Sequence, residues 1–279
     1  MKYPKFSVLM SLYIKEKVEY FDECMKSLLN QTVLPSEIVI VFDGPLSEEM
    51  YQRVDEYCIR FPGLIKIIRN QVNQGLGLAL AKGVPACSND LIARMDTDDI
   101  ARHDRFEKQL MEFINNPKLD ICGSNILEFE GSTNNIVSQR IVPLNDADIK
   151  QFQKRRDAFN HMSVVFKKEA VLNAGNYQNC PLMEDSLLWV NMLKNGSTSM
   201  NISAPLVYVR VGADMFRRRG GVKYLYKYYK GRKEILKTGY ISKTDFWITI
   251  IIQAIISLIP NSIRSYIFKN FIHTKPTLR

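Results

Sequence analysis

Apolar runs bounded by turn residues alternate with stretches of helical periodicity through the first half of the chain, the pattern of a mainly parallel sheet with crossover helices. Phe6 to Leu12 predicts a first strand. Val18 to Asn30 predicts a helix with Phe21, Cys24, Met25, Leu28 and Leu29 on one face, and Ile38 to Phe42 a second strand stopped by Asp43-Gly44-Pro45. A helix near Ser47 to Arg60, a strand at Leu64 to Ile68, a helix near Leu76 to Val84 and a strand at Leu91 to Met95 follow. In open parallel sheets ligands bind beyond the C-terminal strand ends. Asp43 and Asp96 both fall there.

The second half is less regular. A helix near Arg102 to Ile114 stops at Asn115-Asn116-Pro117, and Ile121 to Phe129 predicts a further strand. Gly131 to Arg156 is polar and weakly patterned, so it reads as loop plus a short helix. Beyond it, MSVVFKK, a small helix at Glu169 to Ala174 and a helix from Asp185 to Lys194 complete a body with no internal repeat.

Phe246 to Ile259 (FWITIIIQAIISLI) is an almost unbroken apolar run of 14 residues. As a helix it is roughly 21 Å long, against about 30 Å for a bilayer core. It is too short to cross, and Pro260, Arg264 and Lys269 follow, interspersed with Ile263, Tyr266, Ile267, Phe268 and Phe271. An interfacial helix pair lying on a membrane is expected, with the basic segment Arg217 to Lys243 drawn to anionic headgroups. The alternative is a helix docked on the protein's own core or on a dimer partner.

Charge sharpens that division. The formal net charge is +9, but from Arg210 onward there are 15 Lys+Arg and 3 Asp+Glu, so the rest of the chain is slightly acidic. A body that grips nucleic acid along its length is excluded by this balance. The five scattered cysteines fit reduced thiols in the cytosol better than a disulfide framework. Three separated histidines without a C-x-x-C give no support to structural zinc. The N-terminal apolar run is short and followed by Lys15, Glu16 and Lys17, so it reads as a buried strand rather than a signal peptide.

Two acidic signatures carry the chemistry. LIARMDTDD places Asp96, Asp98 and Asp99 after a buried strand, and carboxylates there could hold a divalent cation against a diphosphate. A solvated acidic turn capping the next helix is the plainer reading. PLMEDSLLW brings Glu184 and Asp185 between apolar neighbours, where a half-enclosed carboxylate gains basicity and can deprotonate an incoming hydroxyl. Favourable charge at a helix N-terminus would explain the same pair without catalysis. NQGLGLAL, Asn73 to Leu80, could bring backbone N–H groups near a phosphate. It lacks the G-x-G-x-x-G spacing of a dinucleotide fold. Arg217, Arg218 and Arg219 could hold a diphosphate, or be a solvated basic turn.

Taken in order, SVLMSLYIKE, QTVLPSEIVIVFDG, the N-x-G-L block, MDTDD, RFEKQ and MEDSLLW make the first 210 residues or so resemble a family-2 glycosyltransferase of the GT-A fold. The SLY-x-K-E, DGP and RVGADMFRRRGG variants are similar to bacterial enzymes of O-antigen and amylovoran-type exopolysaccharide synthesis. The resemblance implies an α/β fold: a GT-A domain over 1–210, with a nucleotide-sugar half (1–100) and an acceptor half (101–210), and a basic helical membrane-associating tail over 211–279. It implies that Ser11, Tyr13, Glu16 and Asp43 surround the nucleoside, with Asn73 on the same nucleotide-sugar side. Asp96 approaches the ribose or sugar, Asp98 is the ligand of Mn2+ or Mg2+, and Asp185 is the base of an inverting displacement. Glu184, His161, Arg217 and Arg218 are placed toward the acceptor or diphosphate, although a hydrogen-bonded structural role fits His161 equally. Lys82 stands where such enzymes more often carry Asn or Arg.

The expected activity is transfer of a hexose, glucose or galactose rather than an N-acetylhexosamine, from a UDP-sugar to a polyprenyl-pyrophosphate-linked oligosaccharide. It would take place peripherally on the cytoplasmic face of the inner membrane, without nucleic acid. A sugar-nucleotide pyrophosphorylase would need a glycine-rich loop straight after the first strand, where SLYIKEK has no glycine. A non-catalytic membrane-binding module driven by the basic tail is the reading of a different class.

Overall fold

The computed structural model describes residues 2–212 and 220–259. Nine strands form one sheet in the order β3-β2-β1-β4-β8-β6-β9-β5, with β7 paired to β6. The first four, β1 (Phe6–Leu12), β2 (Glu37–Phe42), β3 (Ile65–Arg69) and β4 (Leu91–Arg94), are mutually parallel. Helices α1 (Val18–Leu29), α2 (Glu48–Arg60) and α3 (Leu76–Ala86) are the crossovers between them. The alternating strand and helix patterns demanded this arrangement.

β2 has every residue buried, because helices cover both faces of the sheet. Val8, Met10, Ile38, Ile40 and Phe42 pack against Phe21, Met25 and Leu28 of α1 and Met50 and Val54 of α2. Phe106 and Leu110 of α4 (Arg105–Asn115) join that side. Leu9, Val39, Val41 and Ile92 pack on the other side against Ala79, Leu80 and Val84 of α3 and Trp189 of α7 (Glu184–Lys194). With both faces locked, the strand ends that carry Asp43 and Asp96 are fixed in depth and direction.

Past β4 the sheet becomes mixed. β5 (Ile100–Ala101) is a two-residue strand just past the acidic turn, antiparallel to β9 (Thr198–Arg210). β8 (Val165–Lys167) runs antiparallel to β4 and to β6 (Leu119–Phe129), while β6 and β9 are parallel. The polar stretch expected as loop and short helix holds both α5 (Asp146–Phe152) and an edge strand, β7 (Ile136–Arg140), antiparallel to β6. α6 (Lys168–Asn173) matches the small predicted helix. β9 escaped prediction because Asn201, Ser203 and Pro205 interrupt its apolar pattern. Pro205 sits where the β6–β9 register shifts, so its missing N–H breaks no regular ladder.

The tail forms an antiparallel pair of helices, α8 (Val222–Lys237) and α9 (Lys243–Leu258). A capping box between Ser242 and Asp245 starts α9. One side of this pair docks on the body. Ile235, Ile241 and Phe246 pack against Cys180, Met183, Leu187 and Val190, and Arg155 Nε meets Asp245 Oδ1 at 2.6 Å. The other side of α9 presents Trp247, Ile251, Ile252, Ile255 and Leu258, each more than half exposed. Docking on the protein's own core, one of the alternatives raised by the sequence, is thus seen on one face of α9, and the opposite face is exposed. Among the described residues, no helix is long and apolar enough to cross a membrane. The stretch after Pro260, with Arg264 and Lys269, lies outside the described residues, as do Arg217, Arg218 and Arg219.

Candidate active site

The loop after β2 is built around Asp43. Its buried carboxylate accepts hydrogen bonds from the backbone N–H groups of Gln74 (2.8 Å) and Gly75 (2.9 Å) and from Asn70 Nδ2 (3.2 Å). Asn73 Nδ2 donates to the Asp43 carbonyl at 3.1 Å. Gly44 has φ +88°, and a Cβ there would lie 2.7 Å from the Asn73 nitrogen, so only glycine allows the approach. Lys82 Nζ donates to Asn70 Oδ1 at 2.7 Å, extending the network. Asp43 thus shapes the 70–75 loop, and its carboxylate faces that loop. Ser11 is partly exposed near the end of neighbouring β1, and Tyr13 is exposed just beyond it.

The acidic turn after β4 gathers three carboxylates that could hold a metal ion. Ligand oxygens of Asp96, Asp98 and Asp99 lie within 4.8 Å of one another. Glu16 joins them from the β1 side, its Oε2 accepting from Thr97 Oγ1 at 2.8 Å. Burial, reinforced by Asp96 and Glu16, pushes the Asp98 carboxyl up to about 7. Asp99 is also raised by burial and by its two neighbours. Arg94, fully buried at the end of β4, pairs with Asp96 Oδ2 at 2.5 Å. Asp98 and Asp99 have no direct ion pair of their own among the described residues. A hard, oxygen-seeking divalent cation fits such a donor set.

Arg210 is the residue that sequence reasoning missed here. At the end of β9, its backbone N–H donates to Asp99 Oδ1 (2.9 Å) and its Nε to the Asp98 carbonyl (3.1 Å). Its guanidinium lies over the rings of Tyr20 and Phe129 and bonds Glu23. In the sequence it stood only as the first residue of RVGADMFRRRGG, with no role attached, since its strand was itself illegible.

Across from this turn stands the N-terminus of α7. Glu184 and Asp185 occupy its first turn, and Asp185 Oδ1 accepts from the Ser186 N–H at 2.8 Å. Burial, then the charges of Asp157 and Glu184, raise the Asp185 carboxyl to about 8, partly opposed by Arg94. Glu184 is raised mainly by burial and feels both Arg94 and Asp96. Arg94 is therefore a cation felt by both acidic groups. Leu182 has φ +77°, an unfavourable conformation for a branched residue, immediately ahead of this turn.

Gly77 explains how α7 comes so close. A Cβ at 77 would sit 2.8 Å from Glu184 Cβ and 2.9 Å from the Gln178 carbonyl oxygen, so any side chain there would displace the acidic turn. Gln74 to Leu78 consequently form one wall of a cleft of about 180 Å³, with Gln178, Leu182 and Glu184 among the rest of its lining. His161 lies beneath the site. It is buried, hydrogen-bonded through Nε2 to Tyr177 Oη at 2.8 Å, and packed edge-on against Trp189. Burial and Arg94 push its pKa well down, so it is neutral. That is the hydrogen-bonded structural setting.

Known proteins share this architecture. The family model described as glycosyl transferase family 2 matches residues 7–173. The Escherichia coli UDP-Gal:alpha-D-GlcNAc-diphosphoundecaprenol beta-1,3-galactosyltransferase is 38% identical over 269 residues, covering 96% of this chain and 97% of its own. The Erwinia amylovora amylovoran biosynthesis glycosyltransferase AmsE is 36% identical over 267 residues, covering 95% and 98%. Among solved structures, the mannosyltransferase PcManGT of Pyrobaculum calidifontis, in complex with GDP-Man and Mn2+, matches with a TM-score of 0.64 at 12% identity. The match covers 91% of this chain and 70% of that one, and what it establishes is a common GT-A fold.

Proposed function

The chain belongs to glycosyl transferase family 2, and we propose that it moves a hexose, glucose or galactose, from a UDP-sugar onto a polyprenyl-diphosphate-linked saccharide with inversion. The observation that carries this reading is the pair of acidic groups on either side of Arg94, one on the turn after β4 and one on the first turn of α7. The E. coli relative, too, is named for a UDP-sugar donor and a diphosphate-lipid acceptor.

Asp185 takes the proton from the acceptor hydroxyl as that oxygen attacks the anomeric carbon, and the nucleoside diphosphate leaves from the opposite side. A neutral alcohol is a poor nucleophile, so this proton transfer is where a positioned carboxylate contributes most. Burial that raises Asp185 makes it a stronger acceptor than a solvated carboxylate. Asp98, with Asp96 beside it, would hold Mn2+ or Mg2+, which when bound offsets negative charge on the departing phosphate. Arg94 pairs with Asp96 and holds its carboxylate in place. Ser11, Tyr13, Glu16 and the loop shaped by Asp43 and Asn73 border the nucleoside.

A single screen tests the activity. Full-length protein with manganese and a synthetic GlcNAc-diphosphate-lipid acceptor is expected to release UDP with UDP-glucose or UDP-galactose at least tenfold faster than with their N-acetyl forms. Acceptor-dependent release from none of the four would count decisively against the reading.

The exposed row on α9 is the face we assign to the cytoplasmic membrane surface, with Lys223, Lys227 and Lys230 of α8 exposed nearby. An aromatic among aliphatics, flanked by basic residues, suits the headgroup boundary. Trp247→Ser combined with Ile251→Ser should lower co-flotation with vesicles containing anionic phospholipid severalfold, and leave turnover of a short-chain soluble acceptor intact. Flotation equal to wild type would remove α9 as the docking element.

A further inference from the structure

Asp157 lies in the segment between α5 and the short turn that holds His161. Its Oδ1 accepts a hydrogen bond from Ser186 Oγ. The backbone N–H of the same serine donates to Asp185 Oδ1 at 2.8 Å. Ser186 therefore bonds both carboxylates, and the Asp157 charge is felt at Asp185.

Nothing among the described residues cancels the charge on Asp157 by a direct ion pair. The nearby arginines are used elsewhere. Arg140 Nη2 donates to the Asp157 carbonyl at 2.9 Å, Arg155 pairs with Asp245, and Arg232 Nη2 donates to the Lys154 carbonyl at 2.7 Å. These contacts hold the 154–157 segment in place while leaving its carboxylate to neutral donors, Ser186 Oγ and, at 3.4 Å, Gln153 Nε2. A carboxylate needed only to brace the loop would be better satisfied by one of those cations. The groups facing Asp185 are Glu184 on its own helix, Asp157, Arg94 at the end of β4, and Tyr177 and Cys180 from the segment ahead of α7. Arg232 and Tyr228 of α8 face Asp157 from the other side.

We propose that Asp157 is a positioning residue for the reaction: fixed on Ser186 beside Asp185, it holds a second negative charge against the base and makes it a stronger proton acceptor. Asp157 can act this way only if Asp185 is the base, as in the reading above. A neighbouring negative charge disfavours the ionised form of a carboxylate, so it raises the pH at which the base becomes available. Removing the charge lowers that pH.

Asp157→Asn keeps an oxygen for the Ser186 hydroxyl and removes the charge. Its acid limb of kcat/KM against pH, measured on the full chain at saturating manganese, is expected to move down by about one pH unit. The high-pH plateau should fall a few-fold, since a weaker base transfers the proton less readily. Ser186→Ala, which frees Asp157 to turn away while keeping the N–H on Asp185, should shift the limb in the same direction by less. Unmoved limbs in both folded variants overturn the proposal, as does a lowered Tm with an unmoved limb, the signature of a brace. Wild-type turnover in Asp185→Asn would instead remove the base assignment itself, whatever Asp157→Asn does.

Discussion

Asp185→Asn is expected to lower kcat by about 10²- to 10⁴-fold, the range lost with a general base, while UDP affinity and the fold are kept. Asparagine is nearly isosteric and retains an acceptor for the Ser186 N–H, so the first turn of α7 stays intact. Stability supplies the internal control. The folded-state pKa of about 8 lies above the ordinary carboxylate value of 3.8, so the folded chain binds more protons than the unfolded one between these limits. Wild-type stability is then lost as pH rises through that window. The asparagine variant escapes this loss and should melt at the same or a higher temperature at pH 8.5. In the wild type, kcat/KM should climb with pH up to about 8, and the residual activity of the variant should lack that limb. UDP release across pH, with UDP binding by calorimetry and a melting curve, measures all three. A folded, UDP-binding variant that turns over at the wild-type rate would end the assignment.

The parts of this site visible in the chain are those set by two-sided burial. β1, β2 and β4 are covered on both faces, so they read as uninterrupted apolar runs, and the acids that stop them, Asp43 and Asp96, read as strand ends. Glu184 and Asp185 were legible for a related reason, as charges inserted between Met183 and the apolar run Leu187 to Val190. Residues that act from irregular edges were not. β9 buries only some of its length and carries Pro205, which hid Arg210. Asp157 follows three basic residues in a polar stretch, where an acid reads as surface charge. Its partner Ser186 has no pattern at all.

Function assigned by residue type was harder to read than placement. Asp43 stands at the strand end the sequence implied, yet its carboxylate faces the N–H groups of Gln74 and Gly75, an arrangement set by residues 31 and 32 positions apart in the chain. Gly77 suggested an approach to phosphate, and the structure gives it a close contact with Glu184. The tail shows the same limit. Its apolar run was recognisable as a helix, but which face docks depends on Phe246, Thr249 and Ser257 meeting a surface built elsewhere.

Asp98→Asn should separate the cation's contribution from the rest of the site. In the wild type the turn gathers three carboxylates with one ion-paired arginine, and Asp98 is held at about 7 by burial and by Asp96 and Glu16. Its folded pKa is raised, so metal-free stability falls as pH rises from about 4 through about 7, and at pH 8 the ionised carboxylate is a net strain on the fold. Asparagine removes that charge, and the metal-free variant should melt a few degrees above the wild type at pH 8, the size expected for a relief of about 1–2 kcal/mol. Manganese should then raise the wild-type melting temperature and barely move the variant, because a cation that binds only the folded form stabilises in proportion to its occupancy. Turnover should fall at least about 100-fold, since several kcal/mol of charge stabilisation at the leaving phosphate are lost and each 1.36 kcal/mol is tenfold in rate. Thermal shift with and without manganese, at pH 6 and pH 8, is sufficient to decide it. If the variant keeps a wild-type manganese shift and manganese-dependent UDP binding, the ligand role passes from Asp98 to Asp96 or Asp99, whose oxygens share the same 4.8 Å cluster.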